Sequence, residues 1–127
     1  MLIRNLVIIE MFESVKDSGE IEKFPTGAVR DTREGKGRFD LIPPHFLERI
    51  AVHFENGAHK YGDNNYRKGI PTSRCVDSCM RHINKFRQGF ADEDHLSAAI
   101  WNLIAIMETE YLVKSGVLPE ELLTHQL

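Results

Sequence analysis

Apolar residues recur at helical spacing in three segments of the chain, and proline, glycine or polar capping residues bound these segments. The first helix is predicted to open at Pro43 or Pro44 and to end at Gly62, because proline is tolerated in a first helical turn and glycine commonly terminates a helix. One face of this helix is expected to be apolar. The residues at that spacing are Phe46, Leu47, Ile50, Ala51 and Phe54.

Two further helices are predicted after a loop that is rich in glycine, asparagine and proline. The second is capped by Thr72 or Ser73 and stops at Gly89, whereas the third runs from His95 to about Lys114. A last short helix is predicted over residues 119–123. The spacing that predicts the third helix runs through His95, Leu96, Ala99, Ile100, Leu103, Ile104 and Met107.

The segment before the first helix has a different character. Residues 16–39 are polar and contain several glycines, and the strand signals of the sequence are confined to this arm. The sequence therefore predicts an all-α bundle with an extended N-terminal arm. In this single domain, residues 1–40 form the arm, residues 43–115 the three-helix core and residues 119–127 a C-terminal tail.

Length, composition and charge limit the function classes. A chain of 127 residues with 42% apolar and 28% charged residues is typical of one globular domain. The formal charge of -3 argues against a polymeric nucleic acid as partner, because such binding normally requires a basic excess. No apolar run reaches the roughly 18 to 20 residues of a membrane span. Arg4 and Glu10 interrupt the apolar start of the chain and no small-residue cleavage site follows, so we expect a cytoplasmic protein without a membrane partner.

Two cysteines stand in the second predicted helix. Cys75 and Cys79 are four residues apart, which places them on one helix face without favourable disulfide geometry. A zinc site is not expected, since no second cysteine or histidine pair stands at zinc-finger spacing. The sequence predicts two buried, reduced thiols.

Three acids and a histidine stand directly before the third helix, in the sequence ADEDHLSAAIWN at residues 91–102. Acidic side chains at a helix start accept hydrogen bonds from N–H groups and interact favourably with the helix dipole, which is one interpretation. A metal or phosphate site is the other. We interpret Asp92 and Glu93 as the acidic helix start, and Asp94 and His95 as the candidates for chemistry.

Helix geometry places further polar groups at similar heights in an antiparallel bundle. With a rise of about 1.5 Å per residue, Glu55 of the first helix lies level with His82 of the second, and His82 with Asn102 of the third. Carboxylates and imidazoles on neighbouring helices can hold Mg²⁺ or Mn²⁺. An ordinary surface pair is the alternative for Asp77 and Arg81 at i, i+4. The predicted metal ligands are Glu55, Asp77, His82, Asp94 and His95, and the predicted catalytic carboxylates are Glu55 and Asp77.

Candidate substrate contacts lie in the arm and at the ends of the helices. Basic residues stand among glycines in the arm, a composition that lets N–H groups and basic side chains approach phosphate oxygens. The spacing is not that of a P-loop, so a solvated loop is the alternative. Tyr61 can stack on a base or cover the end of the bundle. The predicted substrate contacts are Arg30, Lys36, Arg38, Lys60, Tyr61, Asn65, Arg81 and Asn102.

Four ordered motifs carry a resemblance to a known family, namely TGAVRDTREGKGRFDLIPP, HFENGAHKYGDNNYRKGIP, DSCMRHINKF and EDHLSAAIWN. Over about Gly27 to Glu110 the chain resembles the phage dATP/dGTP diphosphohydrolases, whose MazZ-type members are related to the MazG-like nucleotide pyrophosphohydrolases. The resemblance implies a MazG-like all-α bundle that acts on a purine deoxynucleoside triphosphate and forms a homo-oligomer. The EExxE and ExxD motifs with which MazG relatives hold Mg²⁺ are not present in the sequence, and Ala99 and Asn102 stand where acids would be.

The implied reaction is hydrolysis to the monophosphate and pyrophosphate, which in a phage setting would remove dGTP or dATP from the nucleotide pool. Mg²⁺ or Mn²⁺ would neutralise charge on the triphosphate, and a metal-bound water of lowered pKa would attack one phosphorus. We expect Glu55 to orient this water or to accept its proton. Two other classes stay open: a helical module that binds nucleotides without hydrolysing them, and a structural or oligomerisation bundle.

Overall fold

The computed structural model describes residues 18–124. The chain divides into two compact units, of which one ends at Leu41 and the other begins at Ile42. The apolar start of the chain, on which the expectation of a cytoplasmic protein partly rests, lies outside the described residues, as do the last three residues of the predicted tail.

The N-terminal unit contains a two-stranded antiparallel hairpin, so the strand signals of the arm are confirmed. The register places Ile21 opposite Asp31. Between the strands the chain reverses at Gly27, whose φ of +88° lies in the left-handed region that favours glycine. Within residues 18–41 its elements are β1 (Ile21–Lys23), β2 (Val29–Asp31) and a 3₁₀ turn over Phe39–Leu41.

The second unit, as far as residue 124, is built from three α-helices, which confirms the predicted helical bundle with an N-terminal arm. Each observed helix boundary lies within two residues of the predicted one. Two 3₁₀ turns complete this unit, and the second of them lies inside the short helix predicted for residues 119–123. The elements in order are α1 (Pro44–Tyr61), a 3₁₀ turn over Asn65–Lys68, α2 (Thr72–Arg87), α3 (His95–Lys114) and a 3₁₀ turn over Glu120–Leu122.

Local sequence explains where the helices begin and end. Pro43 directly precedes α1, and α1 ends where Gly62 adopts a φ of +89° and donates its N–H to the Ala58 carbonyl over 2.8 Å. The predicted cap of α2 is wrong in detail, because Pro71 occupies the N-cap position and Thr72 is the first residue inside the helix. The Asp94 side chain caps α3.

The core lies between α2 and α3, and small side chains dominate it. Small side chains at a helix contact allow a short interaxial distance. Cys75 and Cys79 are free and buried, as predicted, and burial raises the pKa of both thiols. Ile50 is the buried residue of α1. The buried residues of the other two helices are Thr72, Cys75 and Cys79 on α2, and His95, Ser97, Ala98, Ala99, Asn102, Ala105, Thr109 and Leu112 on α3.

The apolar spacing that predicted α3 includes residues that the core does not use. Leu103 and Met107 are 49% and 68% exposed, whereas alanines and small polar residues face α2. The reason is that α3 is apolar on nearly every side, so that periodicity cannot select the buried face. Leu103 and Met107 therefore belong to a second apolar side of the helix.

By length and composition alone, α3 is also apolar enough to cross a membrane, with a mean hydropathy of 1.2 over its most apolar window. One such helix is weak evidence for a span, because the core helix of a soluble protein passes the same test. The buried Asn102 and Thr109 of this helix are accommodated by hydrogen bonds to carbonyls one turn earlier.

The C-terminal segment is fastened to the start of α2 through Thr72, whose side chain is fully buried. Its hydroxyl donates to the Leu122 carbonyl over 3.1 Å and accepts the Thr124 N–H over 2.9 Å. Leu122 also packs on Gly69, where a Cβ would come within 2.8 Å of the leucine Cδ1 and where φ is +113°. The segment after α3 is thus tied to the turn that precedes α2.

Thr72→Val keeps the shape of the side chain but removes the hydroxyl that bonds the Leu122 carbonyl and the Thr124 N–H. We expect the free energy of unfolding, measured in urea, to fall by about 1 to 3 kcal/mol. Thr109→Val is the matched control, because the buried Thr109 hydroxyl bonds a carbonyl of its own helix over 2.7 Å, and it should cause a smaller loss. Equal losses in the two variants would contradict this account.

Candidate functional site

Three side chains of metal-ligand type converge where α2 ends and α3 begins, namely His82, Glu93 and His95. One possible ligand atom of each lies within 4.8 Å of the others. The Nδ1 atoms of the two histidines are 3.0 Å apart, and His82 Nδ1 lies 3.8 Å from Glu93 Oε1. His95 is buried, whereas the Glu93 side chain is half exposed, so this histidine cluster is accessible from the Glu93 side.

A tight reversal of the chain between α2 and α3 produces the cluster. Gly89 follows α2 with a φ of +83°, and the Phe90 N–H donates back to the Lys85 carbonyl over 3.1 Å. A second narrow turn follows, in which the His95 N–H donates to the Glu93 carbonyl over 3.0 Å. The first residue of α3 is thereby brought beside the last turns of α2.

Asp92 holds His95 in one orientation. His95 Nε2 lies 2.8 Å from Asp92 Oδ1, and because a carboxylate only accepts, this contact assigns the proton to Nε2. The same hydrogen bond lowers the pKa of Asp92. In the neutral ring the lone pair is then on Nδ1, which faces His82. A carboxylate behind a histidine is the usual support of a metal-binding imidazole.

Burial favours the neutral form of His82. Loss of solvation lowers the pKa of His82, and the nearby charges of Arg81 and Lys85 lower it further, while Glu93 acts in the opposite sense. Neutral imidazole is the form that binds metals. Both rings of the cluster are therefore suited to offer nitrogen lone pairs to a cation.

The arrangement fits a divalent cation by its donor set. The Nδ1 atoms of the two histidines are 3.0 Å apart, close enough for one cation to contact both. Two imidazoles and one carboxylate suit Mn²⁺ and other transition metals better than Mg²⁺, which prefers oxygen. The residues present can hold such an ion.

An open depression of about 500 Å³ lies over two residues of the cluster, Glu93 and His95, and is also lined by Arg49 of α1, Phe86 and Phe90. Arg81 and Lys85 add positive charge close to His82. Arg49 in the lining of the depression, and a cation bound beside it, would attract an anionic substrate.

Asp94, predicted as a metal ligand, is engaged by other partners. Its carboxylate accepts two hydrogen bonds of 2.6 Å from the Arg49 guanidinium, and it also accepts the Ser97 N–H over 3.1 Å and the Ser97 hydroxyl over 2.7 Å. These contacts, led by the one to Arg49, hold the pKa of Asp94 well below its usual range. Asp94 thus joins α1 to the start of α3 and caps that helix.

The structure does not bring the predicted catalytic carboxylates together. Glu55 lines a separate depression along α1, which shares Arg49 with the depression over the cluster. Asp77 is exposed and forms an ion pair of 2.7 Å with Arg81 one turn later, as an ordinary i, i+4 pair does. Asn102 is buried at the contact with α2 and donates to the Ala98 carbonyl over 2.8 Å.

The basic residues predicted to bind phosphate in the arm have acidic neighbours of their own. Lys36 forms an ion pair with Asp31, and the Arg38 guanidinium donates two hydrogen bonds of 2.7 and 2.8 Å to Asp40. Arg30 lies on β2 and is exposed. A phosphate group would have to compete with these carboxylates for Lys36 and Arg38.

The remaining predicted contacts lie at the end of α1. Tyr61 and Asn65 line one apolar pocket, which Trp101 of α3 also lines. Lys60 lies against the outer side of this region, with its Nζ 5.1 Å from the centroid of the Tyr61 ring. The structure therefore groups Tyr61 and Asn65 in one pocket, on another part of α3 from the histidine cluster.

Sequence reasoning missed several residues of the site. The sequence indicates only a helix start for Asp92 and Glu93, whereas in the structure Asp92 supports His95 and Glu93 faces the two histidines. Arg49 lies outside the four motifs, and Lys85 lies inside one of them but is not among the predicted site residues. The available signal was the position of the acids in a short interhelical loop after Gly89, where neighbouring side chains point in different directions.

Asp94→Ala removes the cap of α3 and the contact with Arg49. We expect the free energy of unfolding at neutral pH to fall by about 1 to 2 kcal/mol, and by less in Asp94→Asn, which keeps an acceptor for Ser97. Because the pKa of Asp94 is depressed in the folded state, its contribution is present above about pH 4 and is lost as the pH falls further.

The wild type should therefore lose more stability between about pH 5 and pH 2 than Asp94→Asn does. Asp77→Asn is the control, because Asp77 also pairs with an arginine but on an exposed helix surface. Urea unfolding at several pH values measures the difference. If the Asp94 and Asp77 variants followed the same pH dependence, the Arg49 contact would not be the cause.

The matched region of the chain contains all three helices and the histidine cluster. Residues 26–115, well over half of the 127 residues, match the family described as dATP/dGTP diphosphohydrolase, N-terminal. No curated protein and no solved structure matches the chain. The match, which is to the model of the family's N-terminal region, confirms the family that the four sequence motifs indicated. The chain belongs to the dATP/dGTP diphosphohydrolase family, which is named for hydrolases of purine deoxynucleotides.

Proposed function

We propose that the protein hydrolyses dGTP or dATP to the deoxynucleoside monophosphate and pyrophosphate, with a divalent cation held by His82, Glu93 and His95. The single observation that carries this proposal is that the histidine cluster lies within the residues matched to the diphosphohydrolase family. The reaction adds one water molecule across the phosphoanhydride bond between the α and β phosphates. We further propose that it takes place in the cytoplasm, that of the host if the chain is encoded by a phage.

Mg²⁺ or Mn²⁺ is the proposed cofactor, and the two imidazoles favour Mn²⁺. A cation bound there supplies positive charge to the phosphate oxygens and acidifies a water molecule. Asp92 keeps His95 Nδ1 directed into the site through its hydrogen bond to Nε2. Glu93, and not Asp94, is the proposed carboxylate ligand, because both Asp94 carboxylate oxygens already accept hydrogen bonds from Arg49.

The basic side chains around the cluster are proposed to bind the triphosphate. Lys85 and Arg81 lie close enough to His82 to lower its pKa, and Arg49 lines the depression over Glu93 and His95. Asp77 contacts Arg81 and is proposed to hold that guanidinium in place. Contacts from the arm, through Arg30, Lys36 and Arg38, and from Lys60 and Asn102 stay as proposals.

Glu55 is proposed to orient the water molecule or to accept its proton. Its depression adjoins the one over the cluster through Arg49, and it is exposed to solvent. Glu55→Gln should lower turnover without weakening cation binding, since the residue is not among the proposed ligands.

The test of the proposed function is product analysis with the purified chain. Each of the four dNTPs and four NTPs is incubated with Mg²⁺, with Mn²⁺ and with a chelator, and the products are separated by chromatography. We expect monophosphate and pyrophosphate from dGTP or dATP, and none with the chelator. If no substrate is turned over, the proposal is wrong and a non-catalytic nucleotide-binding module takes its place.

Glu93→Gln tests the cation site. We expect turnover to fall by more than about 100-fold, beyond the roughly 10-fold to 100-fold loss expected for Asp92→Asn, which removes only the support of a ligand. The rise in Tm that Mn²⁺ gives to the wild type should also shrink in Glu93→Gln. Glu110→Gln, an exposed residue later on α3, is the matched control and should behave as the wild type. An unchanged Tm shift in Glu93→Gln would place the cation elsewhere.

We also propose that the protein is a homo-oligomer. The second apolar side of α3 carries Leu103, Met107 and Tyr111, which recur every four residues and are each about half or more exposed. A helix that is apolar on nearly every side is normally buried on every side. A second copy of the chain can cover this side.

Met107→Glu places a charge in the middle of that side. We expect sedimentation equilibrium to give an oligomer for the wild type and a smaller species for Met107→Glu, with the helical circular dichroism retained. Glu48→Lys, a change of charge on an exposed residue of α1, is the control and should leave the assembly unchanged. A monomeric wild type would contradict the proposal.

A further inference from the structure

A pocket of about 300 Å³ lies between the second half of α1, the turn after it and the middle of α3. Phe54, Tyr66 and Trp101 form much of its wall, and Asn65 is a polar group at its edge. We propose that this pocket binds a purine base. The choice of a purine among planar ring systems rests on the proposed function, whereas the pocket itself is independent of the histidine cluster.

The aromatic side chains of the pocket hold one another in place. The Tyr66 and Trp101 rings meet edge to face with their centroids 5.5 Å apart, and Phe54 meets Tyr66 at 6.0 Å and Trp101 at 6.4 Å. All three rings are only partly buried, so part of their surface is left for a ligand. Rigid aromatic surfaces of this kind are suited to contact a flat heterocycle at a low entropic cost.

Gly57 keeps the α1 side of the pocket open, although the fold does not require a glycine there. It lies in the interior of α1, where glycine is disfavoured relative to alanine, and its φ is not in the left-handed region. A Cβ at this position would meet nothing within 4 Å, so no neighbouring atom requires a glycine. Gly57 and Ala58 line the pocket, and larger side chains there would reduce the space for a ligand.

Asn65 supplies the polar recognition. Its side-chain amide forms no hydrogen bond to another residue within 18–124, and it is half-buried at the pocket. One amide offers both a donor and an acceptor, which matches the mixed edges that purine bases present. The volume is at the lower end of the range of small-molecule pockets, appropriate to a two-ring base.

The pocket can be tested apart from the cation site. Trp101 follows His95 by six residues, a little under two helical turns, so the two side chains leave α3 on different sides. Trp101 is also the one tryptophan of the chain, so intrinsic fluorescence excited at the indole reports on this pocket alone.

The experiment is a fluorescence titration of the full chain in the presence of a chelator, with dGMP, dAMP, dCMP and dTMP as ligands. We expect saturable quenching by dGMP or dAMP, and at least about tenfold weaker binding of both pyrimidine nucleotides, because a single ring covers less of the aromatic surface. Free N-acetyltryptophanamide corrects for absorption by the bases. Equal quenching by purines and pyrimidines would overturn the assignment.

Gly57→Leu fills the pocket from the helix that forms its wall. We expect purine affinity to fall more than about tenfold, while the Tm stays the same or rises by about 2 to 4 °C, because leucine favours a helix more than glycine does. The opposite effects on binding and on Tm separate a blocked pocket from a damaged fold. Undiminished affinity in Gly57→Leu would overturn the proposal.

Asn65→Ala gives a second, independent variant outside the α-helices. Purine affinity should fall about tenfold, the loss expected for one to two hydrogen bonds. Asn84→Ala, an exposed asparagine on α2, is the matched control and should bind as the wild type. Glu93→Gln should also keep purine binding. A protein that binds purines without hydrolysing any triphosphate would refute the proposed function and leave this pocket standing.

Discussion

The close contact between α2 and α3 is the constraint on which the rest of the second unit depends. The buried residues of the two helices include three alanines on α3 and two cysteines on α2, and side chains of this size let the helices lie near each other. The same contact brings His82 and His95 to 3.0 Å. Larger residues at Ala98 or Ala99 would separate the helices and with them the two imidazoles.

Three consecutive acids before α3 have three different physical tasks. Asp92 supports one imidazole from behind, Glu93 faces both imidazoles, and Asp94 caps the helix while it pairs with Arg49. A single negative stretch therefore contributes to electrostatics, to candidate metal binding and to stability at the same time. This division also explains why Asp94, the acid with the most strongly depressed pKa, is not the acid that faces the histidines.

The boundaries of the helices were predictable because they are local. The helix boundaries at Pro43, Gly62 and Gly89 follow from the backbone conformations of these residues and their neighbours, without contacts from distant parts of the chain. The cluster was only half predictable, because height along a helix does not give direction around it. Asp77 precedes His82 by five residues and therefore lies about 140° around α2 from it, which places the two side chains on different sides. In the loop, a shift of one residue changes which acid faces the histidines.

The hydrogen bond between the two imidazoles fixes the orientation of both rings without a bound cation. With the proton of His95 on Nε2, His82 Nδ1 is the donor between the two rings, so a proton stands where a cation would bind. Among the described residues no buried side-chain nitrogen or oxygen lacks a partner. The buried polar side chains are thus hydrogen-bonded without an ion, and the conformational entropy of both rings is already lost on folding. A cation at His82 Nδ1 would take the place of this proton, which the neutral ring can carry on Nε2 instead.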